Sequence, residues 1–228
     1  MKTLGIVAGF GPYAANYFIQ RLLTITNAKK EWDQFPFIAN FNTQIPSRTR
    51  ALLYGEASPA PKLIETIKVL EKANADLIAV PCNSGHGWYE EVSKEITLEW
   101  LNIIKITSEA AKKRNIEKAL VISAYVPAKL KLYDKYLDNV VYLDEPEMNR
   151  VYILIERLKV NENKEEIKSD LWNVVDHYSS KVDGIIIACT EPSMLFKRGE
   201  TTFGSFQIVD STQEYAKKCV EICMDDKK

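Results

Sequence analysis

The sequence predicts an α/β fold made of two pseudo-symmetric, doubly wound parallel-sheet domains, with the active site in the cleft between them. Short segments rich in Val and Ile alternate with amphipathic helical segments along the 228 residues, which is the pattern of βα units. The apolar segments show little alternation, as expected of strands buried on both faces of a parallel sheet. The pattern also occurs twice, with a repeat of about 110 residues.

Eight apolar segments are predicted to be strands because each is short and rich in aliphatic side chains. They are 4–8, 37–41, 77–80, 101–104, 119–122, 140–143, 184–188 and 206–209. Helices are predicted between them. Ser58 followed by Pro59 is a typical helix start, and so is Asp210 followed by Ser211.

The internal repeat is clearest at two places in the chain. LGIVAGFGP at 4–12 aligns with ALVISAYVP at 119–127, and ADLIAVPCN at 75–83 aligns with VDGIIIACT at 182–190. Each repeat therefore has a cysteine directly after the same apolar segment. We predict a first domain over residues 1–105 and a second over 106–228, and the C-terminal helix near 211–224 could pack back on the first domain.

Charge and hydropathy exclude several classes of protein. Thirty basic and 31 acidic side chains give a net charge of −1, which provides no field to attract nucleic acid or an anionic membrane. Apolar runs fall well short of the roughly 18 residues of a membrane span, and the N-terminal run is too short for a signal peptide. We therefore expect a cytoplasmic protein that binds neither nucleic acid nor membranes and keeps its four cysteines as thiols.

Cys82 and Cys189 are the candidate reactive residues. Each closes an apolar strand and opens a polar turn, and ligands of open parallel sheets bind beyond these strand ends. A thiol has a reference pKa of about 8.5, so its protonated and ionised forms are both accessible near neutral pH. Two such groups can remove and return a proton, as a racemase requires. Free cysteine is also common in inert cores, but the matched positions favour function.

Four motifs resemble those of the aspartate/glutamate racemase family, and those of aspartate racemases most closely. They are GIVAGFGPYAANYF at 5–18, FNTQIPSRTRALLYGE at 41–56, PCNSGH at 81–86 and ACTEPS at 188–193. The resemblance extends along nearly the whole chain. It implies a homodimeric isomerase that interconverts L- and D-aspartate without pyridoxal phosphate, any other cofactor or a metal, with Cys82 and Cys189 as its two catalytic bases.

The resemblance also implies a set of residues that bind the substrate. Arg48 matches the arginine that holds a substrate carboxylate, a task for which a planar guanidinium is suited, although a loop arginine is otherwise more often solvated. The further substrate-binding candidates are Gly9, Gly11, Asn83, Ser84, Ser123, Tyr125, Lys159 and Thr190, and the auxiliary candidates are His86 and Glu191.

Several of these candidates have an ordinary structural explanation as well. Asn83, Ser84 and Thr190 are helix-capping residue types. Gly9 and Gly11 are turn residues as readily as ligand contacts, because glycine allows conformations and close approaches that other residues do not.

Three other candidates are also open to two interpretations. Lys159 could be an exposed lysine at a helix end, and Glu191 could simply favour a helix N-terminus. His86 either assists Cys82 or is a structural histidine. Since His177 is the only other histidine in the chain, a zinc site is not expected.

The turn SAYVP at 123–127 departs from the family pattern, which has hydroxyl residues and glycine here. Ser123 keeps the hydroxyl, but Tyr125 is bulkier and could either bind a substrate carboxylate or narrow the pocket. The substrate therefore stays open. The alternatives to an aspartate racemase are a glutamate or hydantoin racemase, a maleate isomerase, or an amino-acid-binding protein without catalysis.

Overall fold

The computed structural model describes residues 1–160, 162–197 and 199–225. The chain divides into two units. The first contains Met1–Ile103 and the described residues from Tyr215 onward, and the second contains Ile104–Glu214. Each unit has a sheet whose strands are mainly parallel, with helices between the strands. The predicted α/β fold is confirmed.

The first unit contains a three-stranded parallel sheet in the order β2-β1-β3. The strands are β1 (Leu4–Val7), β2 (Phe37–Asn40) and β3 (Leu77–Ala79). The central strand β1 is buried along its whole length, which explains why its side chains are apolar without alternation. An isolated parallel bridge joins Ile78 to Trp100 beyond β3.

The second unit contains a five-stranded sheet in the order β5-β4-β6-β8-β7. Its strands are β4 (Ala119–Ile122), β5 (Val140–Tyr142), β6 (Gly184–Ile187), β7 (Thr202–Phe203) and β8 (Phe206–Asp210). The pairing is parallel except between β7 and β8. The order β5-β4-β6 is the same as β2-β1-β3, which is the structural form of the sequence repeat.

Helices connect and cover the strands in both units. In chain order they are α1 (Pro12–Thr26), α2 (Arg48–Tyr54), α3 (Ala60–Lys72), α4 (Tyr89–Ser93), α5 (Ile103–Lys113), α6 (Tyr125–Lys129), α7 (Glu145–Lys159), α8 (Lys164–Asp176), α9 (Thr190–Ser193) and α10 (Ser211–Met224). Short 3-10 segments lie at Glu31–Asp33 and Ser84–Trp88. Within the described residues, no helix has both the length and the apolar composition that crossing a bilayer requires.

The two predicted helix starts are confirmed by their hydrogen bonds. The Ser58 hydroxyl accepts the Ala60 N–H at 3.2 Å at the start of α3. At the start of α10, Asp210 Oδ1 accepts the N–H groups of Thr212 at 2.9 Å and Gln213 at 3.2 Å. Both side chains therefore satisfy N–H groups that have no partner inside the helix.

The prediction of a strand over 101–104 is wrong. Pairing in this region is limited to the bridge at Trp100, and α5 begins at Ile103. Ile103 and Ile104 are buried as part of this helix. A short apolar run has the same signature in a buried strand and in a buried helix start. The observed strands differ from the other predicted ranges by no more than one residue at either end, and the two-residue β7 was not predicted.

Gly9 follows β1 at a point where two backbones approach closely. A Cβ atom placed on Gly9 would lie 1.9 Å from the carbonyl oxygen of Asn42, far inside any real contact distance. The backbone approach therefore requires glycine here, whatever else Gly9 contacts.

We expect Gly9→Ala to lower the free energy of unfolding by about 2–3 kcal/mol, because the backbone at Asn42 must move to admit the methyl group. Gly55→Ala is the control, since its φ of 65° is unfavourable for alanine but nothing lies within 4 Å of the added carbon. That variant should lose about 1 kcal/mol. Urea unfolding measures both, and an equal loss in the two variants would contradict the steric explanation.

Candidate active site

Cys82 lies in a tight turn beyond the carboxyl end of β3. Its N–H donates to the Val80 carbonyl at 2.7 Å, so Val80, Pro81 and Cys82 form a three-residue turn. The Cys82 carbonyl accepts the N–H of Gly85 at 3.1 Å. The residue is half-buried and packs against the apolar core of the first unit. The turn therefore fixes the backbone on both sides of a partly accessible thiol.

His86 is buried behind this turn and contacts the backbone of Cys82. Its Nδ1 is 2.9 Å from the Cys82 carbonyl oxygen, and its Nε2 accepts the Ile103 N–H at 3.2 Å. The Leu101 carbonyl oxygen lies farther from Nε2, at 3.5 Å, and could be bonded only if Nε2 carried a proton. The Ile103 bond therefore assigns a neutral ring with its hydrogen on Nδ1.

The surroundings of His86 keep this ring neutral. Burial lowers its pKa to about 4, although the carbonyl groups of Cys82 and Leu101, which would both accept hydrogen bonds from the protonated ring, act in the opposite direction. Sequence reasoning left open whether His86 assists the thiol or has a structural role. The structure places Nδ1 against the Cys82 carbonyl oxygen, where the ring holds the turn, and assistance to the thiol stays a prediction.

Arg48 is the first residue of α2 and presents a cation near the Cys82 turn. Its guanidinium carbon lies 4.4 Å from the centre of the Phe10 ring. The same ring packs on Gly85, because a Cβ placed on Gly85 would lie 2.8 Å from it. The Nε atom of Arg48 is buried without a hydrogen-bond partner. Phe10 thus holds a guanidinium that is suited to receive a carboxylate.

Four other candidates from the sequence lie in the first unit. Asn83 is buried and its carbonyl accepts the His86 N–H at 3.1 Å, and Ser84 begins the 3-10 segment and is half-buried. Gly11 has a φ of 93° before α1, a conformation that favours glycine. Gly9 is required by the backbone approach described above. Contacts of these residues with a substrate stay predictions.

Cys189 lies two residues beyond β6 and precedes α9. Its sulfur is 3.1 Å from Glu191 Oε2, with the thiol as the donor. Glu191 is 8% exposed and Thr190 is 3% exposed. A carboxylate held this close to a thiol can accept its proton or stabilise its protonated form, so Cys189 has a direct acid–base partner.

A buried polar network holds the peptide that carries Cys189. The Ser193 hydroxyl lies 2.6 Å from Asp210 Oδ1, 3.0 Å from Thr212 Oγ1 and 3.1 Å from the Cys189 carbonyl oxygen. Asp210 ends β8, which is the neighbour of β6 in the sheet. Sequence reasoning did not include these residues in the site. The polar segment DST directly after an apolar strand was the available signal.

Tyr125 and Ser123 already have protein partners. The Tyr125 hydroxyl donates to Asn149 of α7, and its ring centre lies 5.0 Å from that of Tyr152. The Ser123 hydroxyl is buried and donates to the Ala124 carbonyl at 2.9 Å. A substrate carboxylate, which only accepts hydrogen bonds, would have to compete with these bonds. Contact of either residue with a substrate stays a prediction.

Lys159 ends α7 within the electrostatic reach of Cys189. Its Nζ lies 2.7 Å from Glu156 Oε1, and both side chains are partly exposed. Burial lowers the pKa of Lys159, but the hydrogen bond to Glu156 and the negative charges of Glu191, Glu156 and the ionised form of Cys189 outweigh this effect and raise the pKa. The structure therefore groups Lys159 with Cys189 and Glu191, and Glu156 already neutralises much of its charge.

The two cysteines thus lie in corresponding positions, each with its own set of candidate residues. Across the described ranges, no group of three or more His, Cys, Asp or Glu side chains is arranged to hold a metal ion. The sequence profile described as Asp/Glu/Hydantoin racemase matches residues 7–219. The chain belongs to this family. It is therefore a member of a racemase family, a class of isomerases.

Individual relatives agree with this family membership. The chain is 26% identical over 227 residues to the broad specificity amino-acid racemase RacX of Bacillus subtilis (strain 168), covering 95% of this chain and 96% of that protein. The aspartate racemase of Picrophilus torridus has a TM-score of 0.83 and 26% identity, covering 98% and 94% of the two chains. The glutamate racemase RacE1 of Bacillus anthracis, at 15% identity, shares the fold with a TM-score of 0.70, covering 99% of this chain and 82% of that one.

The buried, neutral His86 predicts a specific pH dependence of stability. The ring has an ordinary pKa of 6.5 in the unfolded chain and about 4 in the folded one, so the unfolded state binds the proton first as pH falls. Its contribution is fully present above pH 6.5 and is lost as pH falls toward 4. Between pH 7 and pH 5 we expect a loss of about 2 kcal/mol from this group.

His86→Asn, which keeps a side-chain amide donor, is the matched variant for this prediction. Urea unfolding of both proteins at pH 7 and pH 5 gives the comparison. The variant should be less stable than the wild type at pH 7 and should lose about 2 kcal/mol less between the two pH values. The same pH dependence in both proteins would contradict a buried neutral His86.

Proposed function

We propose that this protein interconverts the enantiomers of an α-amino acid, with Cys82 and Cys189 as its two acid–base groups and without pyridoxal phosphate. The observation that carries the proposal is the matched position of two half-buried thiols, each just beyond the corresponding strand of its unit. Membership of a racemase family supports the reaction class.

The proposed reaction balances as two proton transfers. A thiolate takes the α-proton of the bound amino acid and becomes a thiol, which leaves a carbanion-like species. The thiol of the other cysteine then gives its proton to the opposite face of the α-carbon and becomes a thiolate. Glu191, 3.1 Å from the Cys189 sulfur, is positioned to accept the Cys189 proton when that thiol must act as the base.

The cation at Arg48 supports a substrate with at least one carboxylate. No carboxylate is paired with Arg48 in the described part of the chain, whereas Lys159 already contacts Glu156. We propose aspartate as a substrate, as the sequence motifs predict. The two relatives at 26% identity are an aspartate racemase and a racemase of broad specificity, so glutamate and amino acids with one carboxylate belong in the same assay.

The proposal is tested by incubating the protein with each L-amino acid in deuterated buffer without pyridoxal phosphate. Chiral chromatography follows the D-isomer, and proton NMR follows loss of the α-proton signal. A D-isomer that carries deuterium at the α-carbon supports racemisation. Saturable binding of amino acids without exchange or inversion would instead support an amino-acid-binding protein without catalysis. The observation that favours this alternative is Tyr125 in the turn that departs from the family pattern, with its hydroxyl already bonded to Asn149.

We expect Cys82→Ala and Cys189→Ala each to reduce racemisation by at least about 1,000-fold, because one face of the α-carbon then has no proton donor or acceptor. Each single variant should still exchange the α-proton of one enantiomer without inverting it, and the two variants should act on opposite enantiomers. Cys219→Ala is the control, since Cys219 is fully buried on α10. Racemisation by the double variant Cys82→Ala/Cys189→Ala would overturn the two-thiol mechanism.

Arg48→Lys should lower kcat/KM by about 10- to 100-fold, mainly through a higher KM, because an ammonium cannot bind a carboxylate through two parallel hydrogen bonds. Arg50→Lys is the matched control on the same helix, since Arg50 is exposed and pairs with Glu56. Steady-state kinetics on the substrate found above measure both variants. Equal effects of the two substitutions would argue against a specific role for Arg48.

A further inference from the structure

A tyrosine from the last helix is bonded to the turn that carries Cys82. Tyr215 lies on α10, and its hydroxyl accepts the Val80 N–H at 3.1 Å and donates to the Leu101 carbonyl at 2.7 Å. The carbonyl of the same Val80 accepts the Cys82 N–H at 2.7 Å. The Tyr215 hydroxyl is therefore connected to the Cys82 turn through Val80 alone.

The side chain of Tyr215 is fixed and electrically neutral. It is fully buried, and its ring centre lies 5.6 Å from that of Phe18 and 6.5 Å from that of His86. Burial raises the pKa of its phenol well above the ordinary value, so the hydroxyl keeps its hydrogen at any physiological pH. It can then accept one hydrogen bond and donate another at the same time.

The turn needs such a partner because it lies beyond the paired part of the sheet. The strand β3 ends at Ala79, so the N–H of Val80 must find a hydrogen-bond partner elsewhere. Tyr215 provides that partner, while His86 and Gly85 bond the carbonyl of Cys82 on the other side of the turn. The backbone is thereby held immediately before and immediately after the thiol.

We propose that Tyr215 is a positioning residue that sets the direction of the Cys82 thiol through Val80. Its importance for catalysis rests on the proposed function, whereas its effect on Cys82 itself does not. Displacing a reacting group by about 1 Å lowers a rate by about 100-fold, so a small movement of the turn is sufficient to impair catalysis.

A purely structural role for Tyr215 would have a different signature. Loss of general stability would make thiols in both units more accessible, whereas loss of the Val80 hydrogen bond alters Cys82 alone. Cys189 lies in the second unit, where Ser193 bonds its carbonyl and Asp210 bonds Ser193. It therefore serves as an internal reference within the same protein molecule.

The test compares Tyr215→Phe with Tyr89→Phe. The first variant keeps the ring and removes the hydroxyl from Val80, and the second removes a hydroxyl that donates to the Trp100 carbonyl at 3.0 Å in the same aromatic cluster. Both proteins are treated with iodoacetamide under native conditions. The alkylation rates of Cys82 and Cys189 are then measured by mass spectrometry of the peptides.

For Tyr215→Phe we expect the ratio of the Cys82 rate to the Cys189 rate to rise by at least about fivefold, because a looser turn exposes the half-buried thiol. In the racemase assay, kcat should fall by at least about tenfold, while KM changes by less than about threefold. Tyr89→Phe should change the alkylation ratio by less than about twofold. A folded Tyr215→Phe protein with an unchanged ratio would overturn the proposal.

A measurement on the wild-type protein covers the case in which Tyr215→Phe does not fold. Amide hydrogen exchange followed by NMR should show the Val80 N–H protected to about the same degree as the amides of β3. Rapid exchange at Val80 would overturn the role assigned to the Tyr215 hydroxyl. Because neither exchange nor alkylation requires turnover, failure of the racemase assay alone would refute the proposed function and leave this inference standing.

Discussion

The candidate site depends on one constraint. Backbone N–H and C=O groups need hydrogen-bond partners at the carboxyl ends of β3 and β6, where pairing within the sheet stops. A parallel strand pairs its N–H and C=O groups with its neighbours, and this pairing stops where the strand ends. Beyond those ends, His86 and Ser193 bond the carbonyl groups of Cys82 and Cys189. Tyr215 and Asp210, from later in the chain, hold the neighbouring Val80 and Ser193. The position of each thiol therefore follows from how its turn is bonded.

The two turns meet this requirement with different chemistry. Around Cys82 the partners are neutral, because burial keeps His86 unprotonated and keeps the hydrogen on the Tyr215 hydroxyl. At Cys189 the carboxylate of Glu191 bonds the sulfur, and the carboxylate of Asp210 bonds Ser193. The strand order is the same in both units, but the electrostatic surroundings of the thiols are not. Under the proposed mechanism, the two proton transfers would therefore take place in different electrostatic surroundings.

The sequence was sufficient to predict the features that depend on a local pattern of apolar and polar residues. The buried strands and the two equivalent cysteine positions follow from apolar runs and from the repeat, both of which are visible along the chain. The failed prediction at 101–104 shows the limit, since burial alone does not distinguish a strand from a helix start. The role of Tyr215 depends on partners 114 and 135 residues away in the sequence, and pattern within a short window carries no information on such contacts. The same reason explains why Phe10 was not recognised as the support of Arg48.

The support of Arg48 by Phe10 has a consequence for how a substrate would be recognised. A cation is usually fixed by a carboxylate, which orients the side chain but also neutralises its charge. An aromatic ring orients a guanidinium through its face and leaves the net charge in place. Arg48 is held in this second way, whereas Lys159 is held by Glu156. Under the proposed function, an incoming carboxylate would therefore gain more from the charge of Arg48, which no carboxylate neutralises, than from the charge of Lys159.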